Sequence, residues 1–194
     1  MPRVTPLPPS ALPSEIAKVY EQFAGGYANF ADQAAVLAHV PPALDHIYRM
    51  LMELRSREGI AFRYVELAVV VVSKLNACPY CVSHHTPLLE VEGIPADAVE
   101  SLPDAEHEAF DEVDRLVIAY ARLVTERAWG IRSGVFTQLR AHFTEAQIVE
   151  LTLRIALCGF FNRFNDALQI DDGVAETLLN LHPKEEPATS GEQP

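Results

Sequence analysis

Apolar residues recur every three or four positions along most of the chain, which is the spacing of one face of an α-helix. Ser14 is a typical N-cap for a first helix that reaches about Phe23. Adjacent prolines can open a second helix, and a capping box from Thr144 to Gln147 precedes a long apolar one. The predicted helices are 14–23, 41–59, 62–76, 79–92, 105–128 and 145–168.

A short run, Val69 to Val72, carries the β-branched content of a strand, but a buried helix also carries such a run. The pattern therefore predicts an all-α chain. Prolines mark its ends: five of the 14 lie in residues 1–13 and three in 183–194. We expect a Pro-rich arm over 1–13, one helical domain over 14–182 with its core motif at 62–93, and a disordered tail over 183–194.

Composition narrows the possible partners. The 194 residues are 49% apolar, enough for the core of one domain. With 15 basic and 27 acidic residues the formal charge is −12, which argues against nucleic acid and anionic membrane as partners. The longest apolar run, Leu67–Val72, is too short to span a bilayer, and the N-terminus lacks the pattern of a secretory signal. These features predict a cytoplasmic protein.

Two polar clusters stand out from the helical pattern. Residues 90–114 contain ten Asp or Glu and no Lys or Arg. A solvated surface is the favoured interpretation, with a docking surface for a basic partner as the alternative. The second cluster closes the last predicted helix. We expect its side chains to cap and solvate that helix, the alternative being that they line a pocket or a subunit contact: Asn162, Arg163, Asn165 and Asp166.

The chain has three cysteines, too few and too odd a number for a disulfide framework. Cys158 lies in an apolar helix and is predicted to be a core residue. Cys78 and Cys81 form a C-x-x-C pair, which in a reducing compartment is catalytic or metal-binding more often than structural. Zinc is disfavoured, because a site built from this pair and His85 would lack a fourth ligand.

The surroundings of the pair point to thiol chemistry. A helix that starts at Pro79 would place Cys78 at its N-terminus, where orphan N–H groups and the helix dipole favour a thiolate. His85 lies one turn beyond Cys81 on the same face and can accept a proton from a thiol. His84 points away and is expected at the surface or an interface. Glu66, in an otherwise apolar helix, either faces water at the helix start or orients His85.

Two families share this dithiol. The string VVVVSKLNACPYC is similar to the active-site entry of glutaredoxins, but over about a dozen residues. A thioredoxin-like fold would also need a later strand introduced by a cis-proline, and Pro87, Pro95 and Pro103 lack that context. The order Glu66, Cys78-x-x-Cys81, His85 resembles instead the motif of AhpD-like alkylhydroperoxidases in the carboxymuconolactone decarboxylase superfamily. This resemblance covers roughly residues 35–165. The chain is also similar in length and helical content to the peroxidase-related branch of the superfamily.

The resemblance implies an all-α, AhpD-like multi-helix bundle that assembles as a homo-oligomer, a dimer, trimer or hexamer. It implies a thiol-dependent hydroperoxidase or thiol–disulfide oxidoreductase without a cofactor. Cys81 would attack a hydroperoxide, Cys78 would donate a proton and close the disulfide, and His85 and Glu66 would form the proton relay. An external dithiol, a thioredoxin-like or lipoyl protein, would act as the reductant.

Three alternatives to this function stay open. They are a glutaredoxin-like reductase, a helical oligomer that senses redox state or binds metal, and decarboxylation, which the dithiol disfavours. At one position the chain departs from the best-known AhpD-like members, which carry a His between the cysteines. Here that residue is Tyr80, whose phenol does not titrate near neutral pH.

Overall fold

Nine α-helices make up most of residues 2–26, 30–57 and 59–170, the parts of the chain that this computed structural model describes. No strand occurs in those ranges, so the all-α prediction is confirmed and the glutaredoxin-like alternative, which needs a sheet, is wrong. The helices are α1 (Ser14–Gly26), α2 (Ala31–Leu37), α3 (Pro41–Ser56), α4 (Phe62–Leu75), α5 (Pro79–Val91), α6 (Ala96–Ser101), α7 (Glu112–Arg127), α8 (Ser133–Arg140) and α9 (Glu145–Leu168).

The central helix of the fold is α4, which packs against α5, α7 and α9. Every residue from Val65 to Ser73 is buried, because neighbouring helices cover all sides of α4. That burial explains the strand-like run Val69–Val72. A helix that is enclosed on all sides has no solvent-facing side, so its apolar residues are not separated by polar ones. The single carboxylate within this buried stretch is that of Glu66.

A second apolar cluster joins α1, α2 and α3 to the start of α5. Cys78, Tyr80 and Cys81 belong to it, so the dithiol is part of this cluster, while the helix that carries Cys81 also packs on α4. The N-terminal arm covers this region in an extended conformation with one 3-10 turn at Pro9–Ala11. It is fixed by backbone hydrogen bonds from Arg3 N–H to the Leu168 carbonyl at 2.8 Å and from Leu7 N–H to the Ala35 carbonyl at 2.9 Å.

Several predicted helix bounds change in the structure. The helix predicted over 105–128 begins at Glu112, because Asp111 and Asp114 form a reciprocal capping box there. The predicted capping box of Thr144 and Gln147 is present and starts α9. Three helices were not predicted, α2, α6 and α8, and each has only six to eight residues. Helices this short depend on tertiary packing more than on local sequence.

The acidic segment 90–114 is not uniformly solvated as predicted. Asp114 is fully buried and its carboxylate accepts two hydrogen bonds from the Arg63 guanidinium, at 3.0 and 2.6 Å. One member of the segment thus fixes the start of α7 against α4. In the described ranges, no helix is long and apolar enough to cross a membrane. The predicted tail over 183–194, and residues 171–182 of the predicted domain, lie outside the described residues.

Candidate active site

The turn between α4 and α5 brings the two cysteines of the C-x-x-C pair together. Ala77 takes a left-handed conformation (φ +51°), and the Cys78 N–H donates to the Ser73 carbonyl at 3.0 Å. Cys78 is the N-cap of α5 and Pro79 its first residue, as the sequence predicts. Both thiols are free and buried, and the Cys78 thiol donates to Cys81 Sγ at 3.0 Å. A disulfide needs about 2.05 Å, so a small movement would join them.

The two thiols differ strongly in acidity. The hydrogen bond from Cys78 is the main cause that lowers the pKa of Cys81 to about 7, against the opposing effect of burial. The positive charge of His85 and hydrogen bonds from Asn162 and Asn165 act in the same direction. The same hydrogen bond, together with burial, raises the pKa of Cys78 far above its ordinary range. Cys81 is therefore the thiolate of the pair and Cys78 its proton-bearing partner.

Glu66 and His85 are hydrogen-bonded to each other beside the dithiol. The His85 Nδ1–H donates to Glu66 Oε2 at 2.7 Å, and the Glu66 side chain is 4% exposed against 20% for His85. Burial alone lowers the pKa of His85, but the charge and hydrogen bond of Glu66, with a contribution from Cys81, raise it overall. Of the two interpretations of Glu66, the geometry matches the one that orients His85. Nδ1 is occupied, so Nε2 is the nitrogen that can serve a substrate or water.

A chain of buried side chains orients an amide toward Cys81. The Tyr48 hydroxyl donates to Gln33 Oε1 at 3.3 Å, and Gln33 Nε2–H donates to Asn165 Oδ1 at 3.1 Å. With its oxygen held in this way, Asn165 turns its Nδ2–H to Cys81 Sγ at 3.3 Å. Because each amide has its partner fixed, the donor to the thiolate is preorganised.

Sequence reasoning missed the two asparagines, which were expected to cap and solvate α9. Asn162 and Asn165 are fully buried, whereas Arg163 and Asp166 are exposed. Asn162 bonds Ser73 Oγ at 3.2 Å through its Nδ2–H and accepts from Asn76 Nδ2–H at 2.8 Å. The signal was present in the spacing, since both asparagines continue the apolar face of α9 that contains Ile148, Leu151, Ile155 and Cys158.

A cavity of about 90 Å³ lies beside the dithiol. Cys81, Glu66 and His85 line it, whereas Cys78 does not. Cys158 is buried, as predicted for a core residue, but it also lines the cavity; burial raises its pKa to about 12. The other lining residues are mainly apolar: Phe23, Phe30, Gln33, Leu51, Phe62, Val65, Val69, Arg154, Leu157 and Phe161.

The prediction that His84 lies at the surface or an interface is wrong for this chain. Its side chain is buried against the Tyr80 ring, with ring centroids 4.1 Å apart, and its Nδ1 lies 2.7 Å from the Tyr80 carbonyl oxygen. Neither residue lines the cavity. Tyr80 therefore packs against His84 outside the cavity. Within the described ranges, no group of three or more His, Cys, Asp or Glu is arranged to hold a metal ion.

Comparisons with known proteins give a family match for one segment and a shared fold for most of the chain. Residues 41–105 match the model of the carboxymuconolactone decarboxylase family. No curated protein matches the chain in sequence. A peroxidase-related protein from Ralstonia eutropha, described as an alkylhydroperoxidase AhpD core, has a TM-score of 0.74 at 23% identity, over 89% of this chain and 94% of that one.

Two further structures share the fold at lower identity. A peroxidase-related protein from a Silicibacter species has a TM-score of 0.70 at 20% identity, over 88% of each chain. The debrominase Bmp8 has a TM-score of 0.71 at 19% identity, over 91% of this chain and 96% of its own. The segment that matches the family contains Glu66, Cys78, Cys81 and His85, and the fold match extends over most of the chain. Residues 41–105 therefore match the carboxymuconolactone decarboxylase family, and the fold over most of the chain is similar to that of an alkylhydroperoxidase AhpD core.

Proposed function

We propose that this protein reduces hydroperoxides with its own dithiol, Cys81 acting as the nucleophile and Cys78 as the resolving thiol. One observation carries the proposal: Cys81 lines the cavity, whereas Cys78 does not line the cavity and has its Sγ 3.0 Å from the Cys81 Sγ. A substrate in the cavity therefore meets the sulfur with the lowered pKa. The second sulfur is within reach once the first is oxidised.

The first step is attack of the Cys81 thiolate on the terminal oxygen of a hydroperoxide. The S–O bond forms as the O–O bond breaks, which leaves Cys81 as a sulfenic acid and releases an alkoxide. The alkoxide takes a proton and leaves as the alcohol. Protonated His85 is a suitable donor, since Glu66 raises its pKa and holds its ring through Nδ1.

The second step closes the disulfide. Cys78 gives up its proton and attacks the Cys81 sulfur, and the hydroxyl of the sulfenic acid leaves as water. An external dithiol then reduces the Cys78–Cys81 disulfide by thiol–disulfide exchange and is itself oxidised. A thioredoxin-like or lipoyl protein supplies such a dithiol. The net reaction converts a hydroperoxide and a dithiol into an alcohol, water and a disulfide.

Steady-state hydroperoxide consumption with a dithiol reductant tests the proposal. We expect Cys81→Ser to abolish turnover, since a hydroxyl is not ionised near neutral pH. Cys78→Ser should lose multiple turnover while Cys81 still reacts once. His85→Ala should slow the reaction about 100-fold, the usual contribution of a general acid. The matched control is His46→Ala, since the His46 side chain is 82% exposed and should leave turnover unchanged. Wild-type turnover by Cys81→Ser would contradict the proposal.

A second candidate function is reductive removal of halogen from an aromatic ring. Four phenylalanines line the cavity beside Cys81, Phe23, Phe30, Phe62 and Phe161, and they would suit a flat aromatic body. The fold is also similar to that of the debrominase Bmp8. The same dithiol balances this reaction, because two thiols become a disulfide while the carbon–halogen bond becomes carbon–hydrogen and hydrogen halide is released. Bromide release from a brominated pyrrole would favour this candidate, and its absence beside rapid hydroperoxide consumption would exclude it.

A further inference from the structure

One arginine among the residues that line the cavity has no role in the chemistry proposed above. Arg154 extends from the buried face of α9, and its side chain is only 9% exposed. It lines the same cavity as Cys81 and His85. A buried arginine is costly unless its donors find acceptors.

The arginine is incompletely paired. The nearest carboxylate oxygen to its Nη2 is Glu150 Oε1 at 3.5 Å, which is long for a charge-assisted hydrogen bond. The other oxygen of Glu150 accepts from Arg57 Nη2 at 2.7 Å, so the carboxylate is bound mainly to Arg57. Arg154 Nε is buried and has no hydrogen-bond partner among the described residues. Buried donors in this state are rare and call for an explanation.

The charges around the cavity leave room for an anion. Arg57 and Arg154 share one carboxylate, that of Glu150. The pair of Glu66 and His85 is neutral when the imidazole is protonated. One positive charge is therefore in excess whenever Cys81 is neutral or joined in a disulfide.

The rest of the cavity wall restricts the kind of anion. Gln33 has its amide oxygen and nitrogen already bonded to Tyr48 and Asn165. The remaining wall is chiefly aromatic and aliphatic. A phosphate would need several charged donors, whereas one guanidinium matches one planar carboxylate. The geometry thus suits an apolar body that carries a single carboxylate.

We infer that Arg154 binds a carboxylate on the substrate, and that the substrates are apolar carboxylic acids whose reducible group reaches Cys81. The inference rests on the proposed function for the identity of that group, and on the cavity alone for the carboxylate. Arg154 is in this view a specificity residue: it selects acids over neutral compounds of the same shape. Binding would give Nε the acceptor that the described residues do not provide.

Two matched pairs of small molecules test the inference with the full chain. For binding, para-isopropylbenzoate is compared with para-isopropylbenzamide, which has nearly the same shape but no charge, by isothermal titration calorimetry. For turnover, the tertiary hydroperoxides of the same two compounds are compared with a dithiol reductant. We expect the wild type to bind the benzoate about tenfold to hundredfold more tightly than the benzamide, the usual effect of a hydrogen bond to a charged group. The same ratio should appear in kcat/KM, through KM.

Substitutions test whether Arg154 causes the preference for the acid. Arg154→Met should remove the preference for the acid, so that the ratio of kcat/KM between the two hydroperoxides falls to about one. Arg154→Lys should keep part of the preference, since it retains the charge without the planar fork. Arg49→Met is the matched control, because Arg49 is about half exposed and paired within α3 to Asp45. Circular dichroism checks that the variants fold, and the wild-type comparison needs no variant.

The outcomes separate this inference from the proposed function. Hydroperoxide turnover without a preference for the acid in the wild type would overturn the inference and leave the function standing. An equal loss for acid and amide in Arg154→Met would also overturn it. Benzoate binding that depends on Arg154, with neither hydroperoxide consumed, would support the carboxylate site and contradict the proposed function.

Discussion

The hydrogen bond from Cys78 to Cys81 makes the acidity of one cysteine depend on the other. It is the largest of the interactions that lower the pKa of Cys81 to about 7. Cys78→Ala removes the donor and leaves Asn162, Asn165 and His85 in place. Cys78→Ser is the matched control, because its hydroxyl can still donate to the thiolate. We expect the pKa of Cys81 to rise in the alanine variant and to change less in the serine variant.

The size of the effect follows from the strength of a charge-assisted hydrogen bond. Such a bond stabilises the charged group by about 1.5–3 kcal/mol, and one pKa unit corresponds to about 1.4 kcal/mol. The pKa of Cys81 should therefore rise by about one to two units. At pH 7 the thiolate fraction would fall from about one half to between about a tenth and a hundredth. The rate of any reaction through the thiolate should fall by a similar factor.

The assay is the pH dependence of alkylation by iodoacetamide under reducing conditions, with the modified residue identified by mass spectrometry. Cys158 does not interfere, because burial raises its pKa to about 12. In the wild type, Cys81 should react first, with a midpoint near pH 7. An unchanged midpoint in Cys78→Ala would refute the hydrogen-bond argument. So would alkylation of Cys78 before Cys81 in the wild type.

Three further substitutions test other parts of the structure. Glu66→Gln should lower the pKa of His85, because burial then acts without the opposing charge of the carboxylate. NMR titration of the imidazole measures this pKa, and a raised or unchanged value would contradict the assigned pairing. Gly59→Ala should reduce the melting temperature, because its new Cβ would overlap the Glu150 carboxylate. Gly134→Ala in α8 is the matched control: its new Cβ meets nothing within 4 Å, and the substitution should stabilise the folded protein by up to about 1 kcal/mol. Equal melting temperatures for the two variants would count against the described contact.

The sequence pattern was informative where local signals are strong. Pro79 and the capping box of Thr144 mark helix starts that the structure retains. It failed for the short helices α2, α6 and α8, because packing rather than propensity holds such segments together. It also placed the start of α7 too early, since the capping box of Asp111 uses Asp114 in place of the usual Glu or Gln.

The residues of the candidate site also differ in whether local sequence signals predict them. Glu66, Cys78, Cys81 and His85 lie within 20 residues on two consecutive helices, so spacing alone indicates that they meet. Other parts of the site come from α1, α2, α3 and α9, and only the packing of the helices brings them to Cys81. Gln33, Arg154 and Asn165 belong to this second group. Their buried polar character could be suspected from helix periodicity, but their partners could not.

The most direct test of the central claim is a single oxidation without any reductant. Fully reduced protein receives one equivalent of hydroperoxide, free thiols are counted, and peptide mapping locates any disulfide. We predict that two of the three thiols disappear, that Cys78 and Cys81 are joined, and that one alcohol forms per hydroperoxide consumed. Three remaining thiols, or a disulfide that includes Cys158, would contradict the account.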